Sequence, residues 1–156
     1  MKGNAKVIDL LNEILTGELT AINQYFLHAK MCKNWGYARL GSLIYKESID
    51  EMKHADKLIE RILYLEGLPN VQRLGKISIG TTVPEMLKND YEVESVAIPL
   101  LNASIVTCGA AGDHGTQDLL RDILHAEEEH ADWLEAQFEL IKQVGEAHYL
   151  AQQIKD

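Results

Sequence analysis

The chain reads as all-α: one bundle of four long helices, with a long crossover between the second and third and a short fifth helix at the C-terminal end. Apolar residues recur at spacings of three and four almost throughout, and the alternation of a strand is nowhere sustained. Only three prolines occur, Pro69, Pro84 and Pro99. At 156 residues, 46% of them apolar, the chain has the length of one domain, residues 1–156, and can bury a substantial core.

The first helix is expected from Asn4 to Asn34, with Trp35-Gly36 as a short turn, and the second from Arg39 to Glu66, stopped by Gly67-Leu68-Pro69. Between Gly67 and Thr82 the periodicity lapses over a stretch long enough to run the length of a bundle, which makes it the crossover. Pro84 suits the first turn of a third helix that ends before Gly112. Inside that helix Pro99 removes an N–H and should kink it, giving a local bulge rather than a break. A fourth helix runs from Thr116 to Val144, and Gly145 separates the short last piece, Glu146 to Ile154. Helices of roughly 28 residues are about 40 Å long.

A formal charge of -9 argues against nucleic acid as a partner, because phosphate contacts need clustered Lys and Arg. There is no uninterrupted apolar run of membrane-spanning length and no secretory signal at the start, so no membrane partner is expected. Cys32 and Cys108 lie far apart and read as free thiols of a reduced, cytoplasmic protein.

What interrupts each apolar stripe is informative. Helix one runs Val7, Leu11, Ile14, then Glu18, then Ile22 and Tyr25; helix two runs Leu40, Ile44, Glu47, Glu51, His54, Leu58, Ile62, Leu65. Helix three reads Leu87, Tyr91, Glu94, Ile98, Leu101, Ile105, and helix four Leu120, Ile123, Glu127, His130, Leu134, Phe138, Ile141. All four carry a carboxylate near the middle of the buried face. The spacing also repeats: Glu18 stands as far before Glu51 as Glu94 stands before Glu127, and the set Glu18, Glu51, His54 recurs at identical internal spacing as Glu94, Glu127, His130.

A Glu-x-x-His pair puts a carboxylate and an imidazole one turn apart on one helix face, where both can reach a single cation. A lone copy is usually an accidental surface pair, as Asp122 and His125 illustrate, since His125 lies about 140° around the helix from His130. Two copies on buried faces, each with a stripe-breaking Glu at the same distance upstream, form a specific pattern. Four ionised Glu side chains in a low-dielectric core must be neutralised, and no Lys or Arg interrupts the stripes at that level. Two divalent ions balance the charge, with neutral His completing the ligand sets. Hard carboxylate oxygens with one imidazole each suit iron or manganese, and zinc only as an occupant.

The motif resembles the ferritin-like di-iron superfamily, and the chain is similar over nearly its whole length to the bacterioferritins. The resemblance rests on Glu18-Leu19, AINQYFLHA at 21–29, ESIDEMKHAD at 47–56, ERIL at 60–63, LEGLPN at 65–70 and HADWLE at 130–135. It implies a ferritin-like fold and a hollow homo-oligomeric shell of 24 subunits built from two-fold dimers. Each subunit would hold two Fe ions at a ferroxidase centre, oxidise Fe(II) with oxygen or hydrogen peroxide, and pass the ferric product to a stored mineral that a ferredoxin could reduce for release. By the same resemblance Glu51 and Glu127 bridge the metals, while Glu18 with His54 and Glu94 with His130 each cap one ion. Met52 matches the axial ligand of a haem b shared between two subunits; it lies about 100° from Glu51, off the metal face, although a helical Met is ordinarily core filler.

Tyr25, two turns after Glu18, could bond near the metals or pass an electron, or equally be a buried structural tyrosine. Glu47 and Asp50 could guide iron one turn from the centre, or simply be solvated. Lys46 stands where many family members have a histidine, which weakens an inner-surface iron site at Asp50, and His148 and Ala151 depart from the family's fourfold channel. His28 and His114 read as surface or satisfied packing histidines. Two rival functions remain: a di-metal redox enzyme of the manganese catalase or rubrerythrin type without mineral storage, and a haem-bearing storage shell whose carboxylate site is only an iron pore.

Overall fold

The computed structural model describes residues 1–155, which form α1 (Ala5–Asn34), α2 (Ala38–Tyr64), α3 (Val83–Ala110), α4 (His114–Val144) and α5 (Glu146–Ala151). α1 packs along α2 and α3 along α4; the pairs meet through α1 against α3 and α2 against α4, and α5 rests on α4. With residues 65–82 crossing from α2 to α3, this is the expected four-helix bundle with its long crossover and short last helix.

Side-chain caps set three of the starts. Asn4 accepts the amides of Lys6 and Val7, Thr82 that of Glu85 with Pro84 in the first turn, and Asp113 that of Thr116. The Asp113 cap begins α4 at His114, two residues before the expected Thr116. Arg61 supports that cap, bonding Asp113 Oδ1 and Thr116 Oγ1 at 2.9 Å each, and Gly115 leaves it room: a Cβ there would lie 2.7 Å from the guanidinium.

Three helices end with an amide reaching back five residues: Tyr37 to the Cys32 carbonyl, Gly67 to Ile62 and Asp113 to Cys108. The first and third closures place a glycine, Gly36 or Gly112, at positive φ; the second places Glu66 there, at φ 62°. Gly67 is therefore not the left-handed stop that the sequence suggests. It is small because α1 approaches: a Cβ on Gly67 would sit 2.7 Å from Ile8 Cγ2.

α3 stays α-helical through Pro99, without the local bulge expected there. Pro99 and Ser95, whose carbonyl loses its partner, both lie on the exposed face where water can satisfy that oxygen. α3 is also long and apolar enough to cross a membrane, with a mean hydropathy of 1.4 over 18 residues, although the sequence shows no uninterrupted apolar run. In the bundle Leu87, Leu101, Ile105 and Cys108 face the core, while Val96 and Val106 point outward.

The core has two apolar halves. Val7, Leu11, Leu15, Leu58, Ile62 and Leu120 belong to one; Tyr25, Leu40, Ile44, Met86, Leu87 and Leu134 to the other. Cys32 and Cys108 are free thiols, one in each half. Leu58, one turn beyond His54, is wholly enclosed. Replacing Leu58 with Ala should cost about 2–5 kcal/mol of folding stability, read as a lowered thermal midpoint of the metal-free protein.

Candidate metal centre

Between the two apolar halves lies a layer of ionisable side chains. Glu18, Glu51, Glu94, Glu127 and His130 are each at most 4% exposed, and His54 is partly buried. The structure brings all six together as two overlapping groups: Glu18, Glu51, His54 and Glu127, and Glu94, Glu127 and His130, with ligand atoms inside each group within 4.8 Å of one another. Glu127 is common to both; Glu51 falls in the first only.

Each imidazole turns Nδ1 toward carboxylates. His54 Nδ1 lies 3.1 Å from Glu127 Oε1, 3.5 Å from Glu18 Oε2 and 3.6 Å from Glu51 Oε2. His130 Nδ1 lies 3.0 Å from Glu94 Oε1 and 3.9 Å from Glu47 Oε2. Tyr25 is enclosed; its hydroxyl donates to Glu94 Oε1 at 2.5 Å and its ring meets His130 edge-on at 5.2 Å. Trp133 stacks on the same imidazole. Glu18 Oε2 and Glu94 Oε2 are buried with no hydrogen-bond partner. Buried carboxylate oxygens seldom stay unpaired, and with the oxygen-rich donor set they fit one hard cation in each group.

Glu47 is half-buried beside His130, whereas Asp50 is held by Lys46 at 3.5 Å and Lys53 at 4.0 Å. Met52 projects outward, 54% exposed. Asp122, His125, His114, His148 and Ala151 are exposed. His28 is buried and bonded to Asp90, a satisfied packing histidine. Asp90 and Gln24 were not singled out from the sequence: their buried bond at 2.9 Å joins α1 to α3, and only their positions near the buried stripes could have hinted at it.

The centre opens on two sides. A cleft between α1 and α3 reaches Glu18, Glu51, Glu94 and Glu127, and a second, near Lys46, Glu47 and Asp50, reaches His54 and His130.

Without metal, protons neutralise this layer. Burial disfavours the His54 imidazolium, but hydrogen bonds to Glu127 and Glu51 outweigh it and lift its pKa to about 10. His130 is likewise lifted to about 9, its burial overcome by the bond to Glu94. Burial, then the bond with Glu127, raises Glu94 to about 8; burial also raises Glu51 and Glu127. Burial and the Glu94 charge push the Tyr25 phenol well above its usual value.

A raised folded-state pKa gives stability that is present below the unfolded pKa and lost as pH climbs through the folded one. For the metal-free protein the windows run from 6.5 to about 10 for His54, from 6.5 to about 9 for His130 and from 4.5 to about 8 for Glu94. Its thermal midpoint should therefore fall between about pH 6 and 10. Divalent ions bound there would displace the same protons, so Co(II) affinity should weaken as pH is lowered. Calorimetry in buffers of unlike ionisation enthalpy should show proton release at neutral pH; no release would refute this charge assignment.

The ferritin-like domain model matches residues 8–144. The chain is 48% identical over 152 residues to a bacterioferritin of Mycobacterium bovis, covering 97% of this chain and 96% of that protein. It is 48% identical over 151 residues to one of Streptomyces coelicolor (97% and 90% covered) and 44% over 149 residues to one of Brucella melitensis (96% and 92%). The buried Glu and His layer thus belongs to a chain that aligns with these proteins almost end to end, and the chain is a member of the bacterioferritin family, within the ferritin-like domain proteins.

Proposed function

We propose that this chain stores and detoxifies iron, acting as a ferroxidase that turns Fe(II) into Fe(III) at its buried centre and lays the product down inside a hollow homo-oligomeric shell. The observation that carries the reading is the buried layer of four carboxylates and two imidazoles, in which Glu18 Oε2 and Glu94 Oε2 lack a hydrogen-bond partner and, among the described residues, no Lys or Arg is ion-paired to the four carboxylates. Two Fe(II) ions, taken as substrate, supply the charge that four carboxylates require.

Glu18 with His54 and Glu94 with His130 would each hold one ion through carboxylate oxygen and Nδ1. Glu127, shared by both groups, supports a bridging role; Glu51, bonded to His54 and Glu127, is assigned as the second bridge. Each ion gives up one electron, and oxygen or hydrogen peroxide accepts the pair together with two protons. The Tyr25 bond to Glu94 places a phenol against one ligand, where it can orient that carboxylate or pass an electron. Glu47, beside His130, is the better accessory group for iron leaving toward the second opening, because two lysines already engage Asp50.

Haem b is assigned to the outer face of α1 and α2. Met52 is exposed there, and Tyr45, two turns earlier on the same side of α2, packs on Phe26 of α1 at 5.9 Å. A second copy of the chain would supply its own Met52, so that the two methionines would hold one haem between them. A shell of 24 subunits, with a ferredoxin-class donor returning electrons for release, completes the assignment.

Replacing Glu51 with Gln removes one bridging charge and should slow initial aerobic Fe(II) oxidation by at least ~10- to 100-fold, the effect typical of even outer-shell partners; an unaltered rate would sink the site assignment. Size-exclusion chromatography with light scattering should give a particle near 24 subunits, with a haem Soret band that Met52→Leu abolishes. A small oligomer turning over peroxide without iron uptake would point to the manganese catalase or rubrerythrin type. Iron uptake that continues without oxidation would point to a pore.

A further inference from the structure

The end of the crossover is tied to the bundle by a polar ladder. Gly75 N–H donates to Thr20 Oγ1 at 2.8 Å, Ser78 N–H to Gln24 Oε1 at 3.0 Å and Gly80 N–H to His28 Nε2 at 3.0 Å. Thr20, Gln24 and His28 follow at spacings of four, so they line one face of α1, and all three are buried. Asp90 of α3 braces two rungs, accepting from Gln24 Nε2 at 2.9 Å and from His28 Nδ1 at 2.8 Å. Because His28 Nε2 accepts an amide, the ring proton resides on Nδ1 and is donated to Asp90. Gly80 also lies close against the first turn of α3, where a Cβ would sit 2.4 Å from Met86 N.

This ladder borders the cleft between α1 and α3, about 390 Å³ in volume, which runs from Glu13, Glu92 and Lys76 at its rim to Glu18 and Glu94. Thr20, Gln24, Gly75 and Ser78 are part of its wall. The wall segment belongs to no helix, and residues 71–77 just before and within it are exposed. Three hydrogen bonds and the packing of buried Gly80 on Met86 hold this stretch, and bonds of this net-weak kind let its exposed end open without unfolding the bundle.

We propose that residues 75–80 form a strap, and that its ladder on α1 sets how fast divalent cations pass through the α1–α3 cleft to the carboxylate centre. Thr20, Gln24, His28 and Asp90 are positioning residues of this gate. The inference rests on the metal-centre reading above. Closed, the strap narrows the approach to Glu18 and Glu94 without touching their oxygens. It therefore governs entry and exit together and leaves affinity unchanged.

The test uses the whole protein, metal-free, with Co(II) as probe. Thr20→Val keeps the side chain's shape but removes the acceptor for Gly75, and with it a bond to the Thr16 carbonyl; Thr20→Ser keeps both. Stopped-flow absorbance gives Co(II) uptake, and an added chelator gives release. Thr20→Val should speed both by roughly 2- to 10-fold, the opening expected from one lost hydrogen bond, with affinity unchanged, faster exchange of the Gly75 amide, and wild-type behaviour for Thr20→Ser. Unchanged cobalt rates overturn the strap whatever the amide does, and so does a change in affinity with unaltered entry. Failure of the wild-type protein to take up Co(II) at all would overturn the metal centre itself, and the strap with it.

Discussion

Four carboxylates at the middle of an apolar bundle impose one requirement on everything around them: something positive must share the layer. Charges removed from water cost several kcal/mol each unless paired, and each of the four helices contributes one. In the metal-free fold the two histidines and retained protons meet the requirement, which is why the shifts of His54, His130 and Glu94 all run upward. The apolar halves on either side are the structural counterpart. A layer that weakens the core at its centre must be flanked by enough buried surface to hold four helices in register, and about two turns of apolar side chains lie on each side of it.

The layer is not symmetric, despite the repeat that generates it. Glu127 belongs to both histidine groups while Glu51, its repeat-mate, belongs to the His54 group only. Around His130 the site is aromatic and enclosed, with Tyr25 at its edge and Trp133 across its face; among the described residues His54 has no ring neighbour of that kind, and it is more open to solvent. Two positions built from the same residue types therefore differ in dielectric and in access, and a cation at each would meet different resistance to entry.

Much of this was legible in the sequence, for a physical reason. A carboxylate on a buried helical stripe breaks a periodic signal, and a break that recurs at the same interval in both halves of the chain is visible without coordinates. One helix start was read two residues late, because His114-Gly115 looks like loop until Arg61 arrives from a distant helix to brace the Asp113 cap. Gly67 does mark the end of α2 as expected, though the positive φ falls on Glu66 and Gly67 instead gives α1 the space it needs. Pro99 left no bulge because its orphaned carbonyl faces solvent, a fact of exposure and not of local sequence. The ladder on α1 was illegible because its partners are backbone amides of a segment without periodicity. Thr20, Gln24 and His28 acquire meaning only when Gly75, Ser78 and Gly80 are beside them.

That ladder shares α1 and α3, two of the four helices of the carboxylate layer, and lies about one turn away from it. Gln24 adjoins Tyr25 on α1, and Asp90 precedes Glu94 by four residues on α3, so the brace and the ligand set share backbone. They also share a field: the Asp90 charge is among the causes that raise the Tyr25 phenol, behind burial and Glu94. A shift of α3 along its axis would disturb both, because Asp90 and Glu94 would move together against Gln24, His28 and Tyr25 of α1. The short hydrogen bonds from α1 to each of these two carboxylates oppose such a slide at two adjacent levels. The polar contacts between α1 and α3 thus fix the register in which a carboxylate layer can meet at one height, and apolar packing, which tolerates small sliding, could not fix it alone.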